Sequence, residues 1–580
     1  VLNEGAEIPE NLAENLFSLL RARQTPAVFL QVLRRFNSTE DRERSYHIDS
    51  TLSLVEATRF AHRLADARPA RRAHILGVAS RASADERSAF YLALETFEEE
   101  FEGLNKYVAA RLQPATDQQK IILLFLSLAY HYGQQPIPAQ SFAGILSLPR
   151  TLKVDFEKVL PEYLRELVRR HADNAWRPSH DLIALEIIRQ LMAPNVSDDR
   201  IWRQNLSLWA IRFAEFCRGD DVLPSHEMVE LASRCFVFRD ERDVLGREAS
   251  GSAGPGQFSQ MIEDIPSPEG RLTVLLRLTE IFEDQAHFWA HLGRFYAIQQ
   301  HDTQKAIAAI DIAIGLNPED HVLYHMKGMA LRSQAFQLMQ QPDYEHPKES
   351  LKEVIALAAQ AAEQFIISRE KEPNEEHGYI SHIQLLLRLI DFAKIVLNAD
   401  TVQQVLVNPT LDPSLRESLD LAEDLLEQAR RLREGERPSV HVESCRNKLD
   451  AAYGRFDVVL QGWNNLLTRS DVYRPPVRRQ LVHTYLVRKH REWDKLDDRE
   501  LHRVLELLDQ NIQEEPNEKK NIRLWMQAVR RLVPPVGLEP VIERVSYWKA
   551  NSLEIDAVYY VYVLYALQAL GGLVLSLIHI

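Results

Sequence analysis

Residues 287–320, HFWAHLGRFYAIQQHDTQKAIAAIDIAIGLNPED, decide the fold. Trp289, Leu292, Gly293 and Tyr296 recur every three or four residues, the period of one helix face, and Ala306, Ile310 and Ala313 do the same after a polar turn. Pro318 ends the second helix, because its ring removes an N–H donor and clashes with the preceding turn. Gly293 and Ala306 are small, so two antiparallel helices can approach closely there while Trp289 and the other large side chains fill the gaps between them. Such a pair buries one face and leaves the other bare. The next unit restarts in register at Tyr324 and Gly328 and supplies the cover.

This pattern resembles the tetratricopeptide repeat, with one residue inserted in the turn between its helices. Weaker units follow: YGRFDVVLQGWNNLL at 453–467 keeps a Gly, a Phe and a Trp, and LELLDQNIQEEPNEKKNIRLWM at 505–526 keeps the Pro and a Trp. The expectation is a curved solenoid over 270–572 whose concave surface binds a protein ligand, with no regular strand beyond about residue 245.

Composition agrees with a mainly α chain. Its 580 residues exceed what one core organises, Gly is scarce at 21, and Leu, Ala, Glu, Arg and Gln dominate long stretches. Three scattered cysteines, Cys217, Cys235 and Cys445, provide neither a disulfide framework nor a four-ligand zinc site, which points to a reducing cytoplasm. A net charge of −14 opposes a general nucleic-acid surface, since duplex binding rests on concentrated Lys and Arg. No apolar run reaches the roughly 18 to 20 residues a membrane helix needs. The chain starts at Val1 without Met and ends in LVLSLIHI, so it reads as an internal fragment with 573–580 an artefactual tail.

The front half is organised differently. In 1–75, NLAENLFSLLRAR reads as an amphipathic helix, TPAVFLQVLRR as a buried strand, and STLSLVEATRFAHRLAD as a helix capped at Ser50 or Thr51, together the C-terminal part of an α/β domain. Residues 76–135 read as a helical lid: FYLALETFEEEFEGLNKYVAARL places Phe90, Leu94, Phe97, Phe101, Leu104 and Val108 on one face, its glutamates solvated, and Gly133 stops the apolar helix QKIILLFLSLAYHYG. Residues 136–195 read as short helix, longer helix, hairpin and final helix, the order of a winged helix. In the final WRPSHDLIALEIIRQLM, Ser179 stands where a cap would sit, and His180-Asp181 occupies the first turn, where unpaired N–H groups and the helix dipole favour anions. The pair is either a helix cap or a phosphate contact. Residues 196–269 form a helical connector with a flexible loop at 246–259.

This order of elements resembles the STAND class of P-loop ATPases, which includes innate-immunity receptors and bacterial antiphage sensors. The resemblance implies that Glu4, or Glu7, lies at the Walker B strand as the catalytic acid that helps hold magnesium. It implies that Arg34 or Arg35 faces the terminal phosphate of the nucleotide, and that His180 touches the β-phosphate of bound ADP. The cofactors would then be ATP/ADP with magnesium in the full-length protein, and the partners a trigger protein on the repeats and further copies in a homo-oligomer formed on activation, in antiviral defence. No GxxxxGK[ST] phosphate cradle occurs in the chain, so this portion alone is expected to be inactive. Two alternatives stand beside it: an ATP-dependent transcriptional regulator with a DNA-reading winged helix, and a non-enzymatic repeat scaffold. No HExxH, CxxC, GxSxG or DxDxDG motif is present. His287 and His291, spaced i, i+4, read as surface or groove positions rather than metal ligands.

Overall fold

The computed structural model describes residues 2–4, 30–32, 52, 54–81, 88–98, 101–149, 151–171, 174–193, 201–219, 225–238, 258–340, 345–399, 401–408, 413–432, 438–469, 472, 474–515, 518–529, 538–551 and 555–569. The chain divides into two compact units, Val1–Asp240 with Pro255–Leu292, and Glu241–Gly254 with Gly293–Ile580. Among the described residues no helix is long and apolar enough to cross a membrane.

In the first unit, β1 (Leu2–Glu4) pairs in parallel with β2 (Leu30–Val32), with Glu4 opposite Val32. Two helices, α1 (Leu54–Ala67) and α2 (Arg72–Arg81), bury Ala57, Ala61, Ala65, Ile75 and Ala79 against each other. The proposed cap positions Ser50 and Thr51 and the loop at 246–257 lie outside the described residues, as does the C-terminal tail. The run expected as one helix is two, α3 (Ala89–Phe97) and α4 (Leu104–Leu112). Gly103 takes φ +101° between them, a conformation that a β-carbon disfavours, and the break turns Phe97 outward while Phe101 stays buried. Glu95, expected in solvent, is buried and meets Nε2 of His74 at 2.9 Å.

Helix α5 (Asp117–Gly133) is set by a capping box in which Thr116 and Gln119 satisfy each other's backbone N–H groups, and it buries nearly every residue from Ile122 to Tyr130. Its left-handed terminal residue is Gln134, not Gly133; Gly133 instead serves packing, since a β-carbon there would lie 2.8 Å from Sγ of Cys235. A three-stranded antiparallel sheet follows, in the order β3 (Ile137–Pro138), β5 (Ala175–Pro178), β4 (Val168–Arg170). Between β3 and β4 the segment read as a longer helix is only two single turns, Phe156–Val159 and Glu162–Arg165, because Pro161 separates them. The hairpin leads into α6 (Asp181–Met192), and α7 (Ile201–Gln204), α8 (Leu206–Arg218) and α9 (His226–Phe236) complete the group. Phe125, Phe142, Phe156, Trp176, Phe213 and Phe236 form its aromatic core, with successive ring centroids 4.8 to 6.4 Å apart through Phe216. Cys217, Cys235 and Cys445 are buried, and none is in a disulfide. Then come α10 (Gln260–Asp264), α11 (Pro268–Ile281) and α12 (Ala286–Phe295), the last extended by a π turn over Tyr296–Gln300.

The second unit is a tetratricopeptide-like helical repeat. Its main helices are α13 (Thr303–Leu316), α14 (His321–Gln340), α15 (Pro347–Lys371), α16 (His377–Val396), α17 (Ser418–Arg431), α18 (Val440–Ala452), α19 (Phe456–Leu467), α20 (Arg474–Arg488), α21 (Asp498–Glu514), α22 (Lys519–Val529), α23 (Glu539–Asn551) and α24 (Ile555–Ala569). Consecutive helices pack antiparallel: Ser368 Oγ at the end of α15 donates to the His321 carbonyl at the start of α14, and Arg488 at the end of α20 pairs with Asp457 at the start of α19. Among the described residues no strand occurs beyond Pro178. Trp463 and Trp525 are buried as the repeat pattern requires.

Trp289 is the exception. It is half-buried, with its indole N–H donating to the Glu283 carbonyl at 3.1 Å, while Phe288, 1% exposed, takes the core position. The buried face of α12 runs through Phe288, Leu292 and Phe295, and Trp289 sits at its edge. His291 is buried rather than at the surface.

A β-carbon on Gly293 would lie 2.6 Å from Cγ1 of Ile310 and 2.8 Å from the Ala306 carbonyl oxygen, whereas one on Gly315 meets nothing within 4 Å. Gly293→Ala is therefore expected to destabilise the second unit by about 1 to 3 kcal/mol through overpacking. Gly315→Ala should stabilise it by roughly 0.5 to 1 kcal/mol through lost backbone entropy in the unfolded chain. Urea unfolding of both variants checks the opposite signs.

Candidate functional site

The first turn of α6 follows directly from the β-hairpin. Arg169 faces Arg177 and Arg170 faces Trp176 across it, and Ser179 then closes the pair, its N–H donating to the Leu167 carbonyl at 2.9 Å and its hydroxyl to the Glu166 carbonyl at 3.2 Å. Ser179 is thus committed to the hairpin, and His180 is the cap. With φ −153° and ψ 156°, His180 remains extended and its Nδ1 accepts from the Leu182 N–H at 3.1 Å. An accepting Nδ1 carries no proton, so in the neutral ring the proton is on Nε2. The imidazole lies flat on Phe90 of α3, centroids 3.9 Å apart and planes 4° from parallel.

Asp181 turns the other way. Its Oδ1 meets Nδ1 of His131, in the last turn of α5, at 2.9 Å. Burial alone would depress the His131 pKa, but the charge and hydrogen bond of Asp181, with the charge of Asp264, outweigh it and raise the pKa. Next to it, Tyr132 donates to Oδ2 of Asp264 at 3.0 Å, and Arg203 approaches the other oxygen at 3.7 Å. Burial and Asp264 hold the Tyr132 hydroxyl well above its ordinary pKa, so it stays a donor. Arg177, also buried, donates to the Tyr130 hydroxyl with its guanidinium 4.8 Å from that ring. Around the start of α6, then, α3, α5, α7 and α10 are tied by side chains rather than by backbone.

Of the residues singled out by sequence, His180 stands where its chemistry can be described. Glu4 ends β1, but its side chain, Glu7, Arg34 and Arg35 lie outside the described residues. Sequence reasoning missed His131, Phe90 and the Tyr132–Asp264 contact. The signal available was AYHYG, three polar rings ending an otherwise apolar helix, which only partners in three dimensions explain. Among the described residues no group of three or more His, Cys, Asp or Glu is arranged to hold a metal.

No protein-family model and no curated protein matches the chain. Similar solved structures are helical. The crystal structure of yeast Tom70 has 12% identity, a TM-score of 0.37, and covers 89% of this chain and 86% of its own. The human IFIT1 dimer with m7Gppp-AAAA has 12% identity, a TM-score of 0.27, and covers 84% and 91%. A STAND protein with a tetratricopeptide repeat sensor from Pyrococcus horikoshii has 12% identity, a TM-score of 0.22, and covers 91% and 77%. At such identities and TM-scores none of them assigns a family or a function.

The His131–Asp181 pair makes stability depend on pH. Because the folded pKa of His131 is raised, the pair's contribution is complete below the ordinary imidazole value of about 6.5 and is lost as pH rises through the raised value. His131→Asn should therefore flatten the fall in urea midpoint of the first unit between about pH 6 and about pH 9. Equal slopes in wild type and variant would refute the role.

Proposed function

We propose that the chain is the regulatory and sensor portion of a STAND-type signalling ATPase acting in antiviral defence. The three-stranded sheet with α6 serves as its winged helix, α1 to α4 belong to its nucleotide domain and lid, and the helical repeats bind a trigger protein. The observation that carries this reading is the tautomer of His180. Capping through Nδ1 assigns the N–H to Nε2, and a phosphate lock requires that donor. ADP would supply the charged acceptor, and release of the lock would permit exchange for ATP with magnesium and assembly of a homo-oligomer. Glu4 would orient magnesium and water, and Arg34 or Arg35 would grip the terminal phosphate with a fixed fork of donors. The GxxxxGK[ST] cradle is not in this sequence, so the reading concerns a protein that supplies one.

The DNA-reading alternative needs a helix long enough to lie in a major groove. The candidate helix is four residues, Glu162–Arg165, and nearby Arg170 is turned onto Glu157 at 3.5 Å. A protein-facing domain fits those features better. A non-enzymatic scaffold would use the second unit and leave the side-chain ties around α6 without a task.

His180→Asn separates the two roles of the ring, since Asn is a good N-cap but lacks an Nε2–H. In a chain extended to include a phosphate cradle, this variant should retain ADP about tenfold to hundredfold less well, the loss of one hydrogen bond to a charged acceptor, and assemble without a trigger. Its free energy of unfolding should fall by no more than loss of stacking on Phe90 explains, about 0.5 to 1.5 kcal/mol. Unchanged ADP retention would leave His180 as a cap alone.

A further inference from the structure

The helices α14, α16, α18 and α20 share one face of the second unit. Along α16, His377, Ser381, Gln384, Arg388 and Asp391 lie at i, i+4, i+7, i+11 and i+14, a single stripe. His377 stands between two other imidazoles, its ring centroid 6.1 Å from that of His325 on α14 and 6.2 Å from that of His441 on α18, with Oε1 of Glu375 3.5 Å from its Nε2. Ser381 Oγ meets Nε2 of His325 at 2.9 Å, and Gln384 accepts from the buried Arg332 of α14 at 3.0 Å. Further along the stripe, Arg388 and Arg491, just past the end of α20, act together on His483 of that helix and on Asp391. Solvent reaches both His483 and Asp391, yet burial, with the charges of Arg491 and Arg388, lowers the pKa of His483, and burial raises that of Asp391 against the charges of Arg388, Lys394 and Arg491. Groups that are open to water and still desolvated lie on the floor of a recess.

Charge divides this face. The His377 end carries imidazoles, a hydroxyl and an amide beside Glu375, whereas the other end gathers Arg388, Lys394 and Arg491 around the carboxylate of Asp391. Among the described residues neither Arg388 nor Arg491 closes a hydrogen-bonded ion pair. Arg491 is also held at φ +63°, directly after His490 at +56°. A helix end of that shape ordinarily takes glycine, and arginine adopts it only against a local cost.

We propose that this face receives an acidic polypeptide segment, its carboxylates gripped by Arg388 and Arg491 and its backbone laid along Gln384, Ser381 and the three imidazoles. The proposal rests on the reading of the repeats as a protein-binding surface and not on nucleotide chemistry. Charge complementarity selects the partner. The net charge of −14 is spread over the whole chain, and exposed charges beyond a Debye length of about 8 Å are screened, so the recess presents its own sign. The guanidinium fork matches a carboxylate, and both forks are available. A single-stranded nucleic acid fits less well, because it requires cations along its whole backbone and here they are confined to one end. Ile395, 53% exposed, continues the stripe at i+18 and offers a contact to an apolar residue of the segment.

Fluorescence anisotropy on the whole chain tests it, with a labelled Glu-rich peptide of about twelve residues carrying two leucines as the probe. At about 50 mM salt the peptide should bind with a dissociation constant of about 100 µM or tighter, and several-fold more weakly at about 300 mM. Arg491→Gly should weaken binding at least about threefold while the urea midpoint holds or rises, since glycine relieves the left-handed backbone, a combination that loss of folding cannot imitate. Arg388→Gln with Arg491→Gly should weaken it about tenfold or more. Arg430→Gln with Arg431→Gln on α17, where both arginines are paired with Glu427, removes the same charge and should leave binding unchanged. Equal losses in the two double variants overturn the proposal, as does absence of binding at about 1 mM peptide. Tighter binding by a single-stranded RNA of the same length and charge overturns it in favour of a nucleic-acid surface. None of these outcomes bears on ADP retention by His180→Asn, so this proposal and the nucleotide reading fail separately.

Discussion

The helical repeat rests on the distance at which two helices can touch. At 8 to 10 Å between axes the side chains at the crossing decide whether contact is possible, and here one helix repeatedly presents none. Gly293 lies on Ala306 and Ile310, Gly328 on the ring of Phe365, and Gly462 on Asn447. Each approach brings the flanking residues into range, so Phe365 is fully buried and Ala335, Ala358 and Ala361 continue the seam beside it. A wider crossing would leave gaps too small for water and too large for contact, at the cost of dispersion energy along the whole seam. The pairs then stack because each still has a bare face.

Apolar seams fix distance but not register, since one leucine resembles the next. Register is supplied by a few buried polar joints. Asn511 and Asn521, both fully buried, bond to each other and to Arg478 and Arg479, which also reach Glu514 and Glu515. Sliding α20, α21 or α22 by one turn would strand several of these groups in a medium that cannot solvate them. The His131–Asp181 and Tyr132–Asp264 contacts do the same at the start of α6. Only one set of positions satisfies every partner.

The two kinds of constraint were not equally legible. Glycine, alanine and proline at helical spacing are local signals, so the pair at 287–320 and the buried Trp463 and Trp525 could be read from the chain alone. The phase of α12 could not: Phe288 and Trp289 are adjacent large rings, and only the position of the neighbouring helices selects Phe288 as the buried one. The break at Gly103 was hidden because apolar periodicity continued across it. Glu95 looked solvated within an acidic run because its partner, His74, lies 21 residues away in sequence. Long-range pairing leaves no mark in a window of ten residues. The same holds for the site, where His180 was visible as a residue type but Phe90 and His131, which orient it and its neighbour, were not.

Sequence posed His180 as either a helix cap or a phosphate contact, and the geometry makes the opposition unnecessary. An imidazole has two nitrogens pointing in different directions, and the cap uses Nδ1. The cap holds the ring in one orientation and one tautomer, and stacking on Phe90 removes the remaining rotation. A ligand meeting Nε2 would then pay little to order the donor, which is the condition for a short-lived contact to be worth its binding energy. Ser179 could not have done this, because its hydroxyl is committed to the hairpin and it has no second, opposed polar atom. A histidine at the cap is a weaker cap than serine or asparagine.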